Sequence, residues 1–322
     1  MNLHGLHHVT AVSARIGHNA DFYTRVLGLR LVKKSVNQDD VSAYHLFYAD
    51  KVGSPGTDMT FFDWPMAGAD FRGTDSIVLT AFRVSGRAAL DYWTARLEAE
   101  GVPHHGIETF NGRSILRFTD PEGQRLALVD DEGEPFEGKL WDGSDVPLEH
   151  ALRGFYAVML SVPKLEHVEP ILTQVLMFTE AGRADYPGAG AAIIYNITEA
   201  GGPGREVWLL EEPDKPRATL GAGGVHHVAF RVADFDEQKE WHNRVRGVGL
   251  PISGYIDRFW FKSVYFRISN GILFELATDG PGFAIDEDPS ALGEKLVLPP
   301  FLEPRRAEIE AGLKPIVVSS PN

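Results

Sequence analysis

Two histidines and a glutamate carry the first chemistry this sequence suggests. His8 stands in Leu6-His7-His8-Val9-Thr10, His227 in Gly224-Val225-His226-His227-Val228, and Glu275 in Leu273-Phe274-Glu275-Leu276. Two neutral imidazoles and one carboxylate make a facial set that holds Fe(II) or Mn(II) and leaves coordination positions open. Zinc accepts the same donors, so ligand type alone leaves the ion undecided. The chain has no cysteine, which removes thiolate metal sites, iron–sulfur clusters, disulfides and a cysteine nucleophile together. Strand side chains alternate faces, so His7 and His8 cannot both address one ion from a regular strand. A carboxylate flanked by Phe274 and Leu276 is costly to bury unless it is paired or bound to a cation.

An internal repeat supplies the elements that must position these residues. His7-His8-Val9 recurs as His226-His227-Val228, and Ala81-Phe82-Arg83-Val84 matches Ala229-Phe230-Arg231-Val232 letter for letter. A weaker copy is Tyr156–Val162, giving four starts at a spacing of roughly 70 residues. Each unit reads as an opening strand, a helical stretch and three further strands, an α+β pattern of four βαβββ units. The helical stretches are Asn19–Leu27, Ala88–Glu100, Leu165–Leu176 and Phe235–Val245, and Gly28, Gly101 and Gly247 are placed to end three of them. Gly56, Gly123, Gly204 and Gly271 make the turn before each closing strand. The last unit's remaining strands are expected at Ile252–Asp257, Ser263–Ile268 and Ile272–Ala277. The units span about 4–66, 74–131, 150–212 and 222–279, in an N-terminal half of 1–145 and a C-terminal half of 146–322. The acidic stretch Asp130–Asp145 reads as the linker between halves. After residue 279 a wrapping tail leads to a short helix near Pro304–Ala311.

The repeat also selects among the candidates. At the second His of each opening strand the four units place His8, Leu79, Ala157 and His227; on the closing strands they place Thr60, Ala127, Trp208 and Glu275. Metal-competent side chains therefore fall only in the first and last units. If one ion unites them, units one and four must pair, leaving two and three to pair with each other. His4, His18, His45, His104, His105, His150, His167 and His242 have no partner in this register and read as solvated or strand-edge residues.

The 322 residues carry 31 basic against 45 acidic side chains, a net charge of −14. That balance repels nucleic acid and anionic membranes. No segment has the length of apolar chain that a membrane span needs. Met1–Leu6 shows no basic stretch leading into an apolar run, so no secretory leader is expected, and absence of cysteine fits a cytoplasmic setting.

The Leu6–Thr10 and Gly224–Val228 motifs, the Arg258…Tyr265…Glu275 run and the tail Leu298-Pro299-Pro300-Phe301-Leu302-Glu303-Pro304-Arg305-Arg306 resemble the hydroquinone ring-cleaving dioxygenases. These belong to the glyoxalase, bleomycin-resistance and extradiol-dioxygenase superfamily, the vicinal-oxygen-chelate fold. The resemblance implies Fe(II), with Mn(II) as alternative, on His8, His227 and Glu275. It implies a small aromatic diol and O₂ as reactants, with ring opening beside a hydroxyl. His226, Arg258 and Tyr265 would then be catalytic, His226 as an acid–base group, with His7 and Thr10 near the metal. Catechol-cleaving relatives take both histidines from their last two units, whereas the third unit here offers Tyr156-Ala157. The rival readings are an extradiol catechol dioxygenase, a glyoxalase-like isomerase or transferase, and a non-catalytic drug-binding protein. The isomerases usually want a fourth ligand, and position 60 is Thr. A homo-oligomer is compatible with all of them.

Overall fold

The computed structural model describes residues 1–268 and 271–316; the remainder of the C-terminal half, 317–322, lies outside the described residues. The first unit comprises β1 (Leu6–Ser13), α1 (Ile16–Asp21), β2 (Arg30–Asn37), β3 (Asp40–Ala49) and β4 (Asp58–Asp63). The second comprises β5 (Ser76–Val84), α2 (Arg87–Ala99), β6 (His104–Phe110), β7 (Arg113–Thr119) and β8 (Arg125–Asp130). The third has β9 (Phe155–Val162), β10 (Thr179–Asp185), β11 (Ala191–Asn196) and β12 (Glu206–Glu211). The fourth has β13 (Val225–Val232), α3 (Phe235–Gly247), β14 (Ile256–Asp257), β15 (Lys262–Ile268) and β16 (Ile272–Thr278), and α4 (Arg306–Gly312) follows in the tail.

The strands form two eight-stranded sheets, ordered β14-β15-β16-β13-β1-β4-β3-β2 and β10-β11-β12-β9-β5-β8-β7-β6. Units four and one share the first sheet, units three and two the second, so the expected pairing holds. Opening strands meet antiparallel at each seam, β1 on β13 and β5 on β9. Each closing strand returns parallel to its own opening strand. This seals the edge that a single unit would leave open. The helices cover the outer faces; α2 lays down Ala89, Leu90, Trp93 and Leu97, all buried, at helical spacing. The second sheet's concave face is filled by aromatic rings, with Phe110 4.8 Å from Trp208 and 5.2 Å from Tyr186. Among the described residues, no helix is long and apolar enough to cross a membrane.

Local expectations need three corrections. The helical stretches of units one and three are short and close in a π-helical turn, Phe22–Val26 and Ile171–Val175. Gly247 is the last residue of α3, and the left-handed position falls to Gly249 at φ +82°. The fourth unit's second strand shrinks to Ile256–Asp257, because Ile252 meets Phe266 only through an isolated bridge. The acidic connector is also no free linker. Asp131 is buried against Arg83 at 2.7 Å, Asp142 meets Lys51 at 2.8 Å and Asp145 meets Arg96 at 2.6 Å. The tail wraps the first unit: the fully buried Lys33 binds Asp286 and Glu287, and Val297 N donates to Lys34 O at 2.9 Å.

Units one and three end their π-turns alike. Leu29 N reaches Tyr23 O at 3.0 Å, and Phe178 N reaches Leu172 O at 2.8 Å. The residue between must be left-handed; it is Gly28 at φ +69° in one unit and Met177 at φ +63° in the other. A left-handed side chain costs about 1–2 kcal/mol, partly offset by the extra freedom glycine loses on folding. Met177→Gly should therefore raise stability by about 0.5–1 kcal/mol, read as a higher urea midpoint at unchanged slope.

Candidate metal centre and active-site cavity

The seam between β1 and β13 brings three distant residues to one point. His8 Nε2 lies 3.2 Å from His227 Nε2, and Glu275 Oε2 lies 3.1 Å from the first and 3.0 Å from the second. All three side chains are buried, Glu275 completely. Glu275 Oε1 accepts a 2.5 Å hydrogen bond from Ser263 Oγ, while Oε2 receives none. The three donor atoms lie close enough together for a single divalent ion to be held by all of them.

The pairing register explains how each histidine pair divides its labour. β1 and β13 slip by one residue twice: His7 is the extra residue between Leu6 and His8, and His226 is the extra one opposite Thr10–Ala11. A bulge re-aims a side chain that regular alternation would send to the other face. Consequently His7 Nδ1 lies 2.9 Å from His8 Nδ1, and His226 Nδ1 lies 2.8 Å from His227 Nδ1. His7 Nε2 faces the Thr278 carbonyl at 3.2 Å, which can only accept. His7 therefore carries its proton on Nε2 and offers Nδ1 as an acceptor; His8 Nδ1 carries the proton between them, and His8 Nε2 turns a lone pair toward the triad. A lone pair facing an unprotonated carboxylate oxygen in a buried site calls for a cation.

Electrostatics keep these groups in the required states. Burial, then the neighbouring His8, pushes His7 down to about 3; burial, then His227, does the same to His226. Burial also lowers His227. Burial alone would raise Glu275, but positive charge beside it, carried in the metal-free site by protons on His8 and His227, overcomes this and holds the carboxyl well below its ordinary range.

A small cleft opens on the triad, with His8 and His227 in its wall. Its sides are aromatic: Phe47, Phe62, Trp260 and Phe261, the last with its ring 5.2 Å from that of His8. Arg258 and Tyr265 line it as well, the guanidinium 5.6 Å from the phenol ring centroid. Arg258 is held by Asp39 at 2.8 Å, and Gln38 Nε2 donates to Arg258 O at 2.9 Å. Burial raises the Tyr265 phenol above its ordinary value, so it stays protonated.

His7, Thr10 and His226 stand behind this wall. Thr10 Oγ1 bonds Thr60 Oγ1 at 2.7 Å. His226 was expected near the metal as an acid–base group; it lies against the outer nitrogen of His227, outside the cavity lining. The bulge is the reason. The opposite correction concerns His45, which was read as a solvated or edge residue. It lines the cavity on β3 with Nε2 2.9 Å from Thr60 Oγ1. Its strand and facing were readable from alternation with Phe47, but comparison of equivalent positions in the repeat passed it over.

Fold and triad define a metal-dependent class of paired βαβββ proteins with an open coordination face. Comparisons agree. Residues 5–128 match the model of the Glyoxalase/Bleomycin resistance protein/Dioxygenase superfamily. MhqA of Bacillus subtilis (strain 168), a protein named for ring-cleaving dioxygenase activity, is 49% identical over 316 residues, covering 98% of this chain and 100% of its own length. The chlorohydroquinone/hydroquinone 1,2-dioxygenase of Sphingobium indicum is 30% identical over 328 residues, covering 98% of this chain and 97% of its own. A crystal structure of a Bacillus subtilis protein titled as a dioxygenase superposes with a TM-score of 0.90 at 35% identity, covering 99% of both chains. The chain belongs to the ring-cleaving dioxygenases of this superfamily.

Acid should unfold the metal-free protein through its buried imidazoles. The folded value of His7 is about 3 against 6.5 in the unfolded chain, so between these limits the unfolded chain binds the extra proton. The contribution is complete above pH 6.5 and is lost as pH falls. One such group contributes about 2 kcal/mol of lost stability between pH 6.5 and pH 5. Urea midpoints measured at the two values should fall toward acid, and His7→Asn should flatten the dependence by that amount.

Proposed function

We propose that this chain is an Fe(II)-dependent dioxygenase that opens the ring of a hydroquinone, a para-diol, beside one hydroxyl and inserts both atoms of O₂. The observation that carries the reading is the three-ligand face opening on an aromatic-walled cavity. A fourth protein ligand, as isomerases of this fold want, has no counterpart at Thr60, whose hydroxyl is engaged by Thr10 and His45. The para-diol preference draws on the ligand histidines coming from units one and four and on the hydroquinone dioxygenase among the relatives.

His8, His227 and Glu275 would hold the ion. Bound iron supplies Lewis acidity and a template that gathers ring and O₂. The protein does the rest. Phe47, Phe62 and Trp260 stack against the ring and exclude water. Tyr265, kept protonated, and Arg258 offer donors to a ring oxygen as negative charge develops on it. His7 and His226 fix the proton positions of the ligand imidazoles from behind, so that the Nε2 lone pairs stay directed inward.

Anaerobic loading with Fe(II), followed by oxygen-uptake assays on hydroquinone, methylhydroquinone and catechol, tests this reading. Hydroquinones should be consumed fastest, giving an opened product that carries both atoms of oxygen-18 gas. Glu275→Gln should lower iron retention against a chelator by more than about 100-fold. A clear preference for catechol, or full iron retention by Glu275→Gln, would overturn it.

A further inference from the structure

We propose that His45 selects the diol, by meeting the substrate hydroxyl that the metal does not take. The inference rests on the para-diol reading above and names the residue that would enforce it. An ortho-diol has both oxygens at one end of the ring, where the triad lies. A para-diol carries its second oxygen to the far end, where only a wall residue can meet it.

His45 is built for that position. It stands on β3 in the first unit and shares the cavity wall with the fourth-unit residues Arg258 and Tyr265, with its ring 4.0 Å from that of Phe47 and 4.5 Å from that of Phe62. One edge is already committed: Nε2 bonds Thr60 Oγ1 at 2.9 Å, and Thr60 is tied to Thr10 at 2.7 Å. That chain of two hydroxyls fixes the ring's orientation. The other nitrogen, Nδ1, has no hydrogen-bond partner among the described residues. Burial lowers His45 well below its ordinary value, so the imidazole is neutral and Nδ1 can pair with a hydroxyl in either tautomer. His45 is only partly buried, so its free nitrogen is open to solvent, and a ligand hydroxyl placed there takes over a hydrogen bond otherwise made to water.

The discriminating measurement is binding, without turnover. Fe(II)-loaded protein is titrated anaerobically by calorimetry with hydroquinone and with 4-methylphenol, which lacks only the second hydroxyl. The unmodified protein should bind hydroquinone at least about tenfold more tightly, since a site that hydrogen-bonds a hydroxyl rejects the analogue lacking it. In His45→Phe the ratio should collapse toward one while iron content and 4-methylphenol affinity are kept. Thr60→Val, which leaves the cavity wall in place and removes the anchor, should give an intermediate ratio. Survival of the full ratio in His45→Phe, or an equal loss of both ligands with iron retained, overturns the role of His45 and leaves the para-diol reading standing. Equal binding of both ligands by the unmodified protein overturns the two together.

Discussion

Residues 8 and 227 meet because β1 pairs with β13 although they stand 219 positions apart in the chain, and the rest of the site is built around that pairing. Closing so long a loop is entropically expensive, though the cost grows only slowly with length. Burial offsets it: Val9, Val228, Phe230 and Phe274 along the seam are fully buried. Register is then set by the same apolar residues, because a slip of one position would turn every side chain to the other face. The two slips that do occur are local and symmetric. Each places one histidine behind another, so the seam delivers two ligands and two braces from a single pair of strands.

The second sheet shows what the first gives up. Its topology is the same, yet Leu79, Ala157, Ala127 and Trp208 occupy the positions equivalent to His8, His227, Thr60 and Glu275. With Phe110, Tyr156 and Tyr186 they fill the concavity, and aromatic packing of this kind carries a large share of burial energy. The first sheet instead seals a carboxylate and several imidazoles from water, which is unfavourable until a cation joins them. One sheet is packed for stability and the other is kept polar for chemistry. The duplicated fold makes that division affordable.

Much of this was legible in the sequence because a repeat converts single residues into comparisons. His8, His227 and Glu275 stood out only against Leu79, Ala157, Ala127 and Trp208, and the same comparison implied which units pair. What stayed hidden depends on departures from regular geometry. Strict alternation sends His7 and His226 to the opposite face, and only the bulges bring them against the ligands. Met177 takes a left-handed position that elsewhere in the repeat belongs to glycine, so no punctuation marked the end of that helix. His45 has no histidine at equivalent places, so comparison across the repeat passed over a residue whose facing alternation with Phe47 already gave. The tail gave no chemical signal because its anchor, Lys33, is a long-range ion pair between residues more than 250 positions apart.

The walls of the cavity come from parts of the chain that the repeat does not specify. The β2–β3 hairpin supplies Gln38 and Asp39, which hold Arg258 from the other unit. The segment before β15 supplies Trp260 and Phe261, and Trp260 is fixed in turn by Asp286 of the tail at 3.0 Å. Lys33 binds Asp286 as well, so a buried ammonium in the first unit, a tail turn and a cavity wall form one connected arrangement. The metal face is set by the β1–β13 seam and the closing strand β16 beside it, whereas the shape of the space above it is set by these appended contacts. Two relatives can therefore share the ligand triad and differ in the ring they accept, because the residues that bind the ion and those that shape its surroundings are held by different forces.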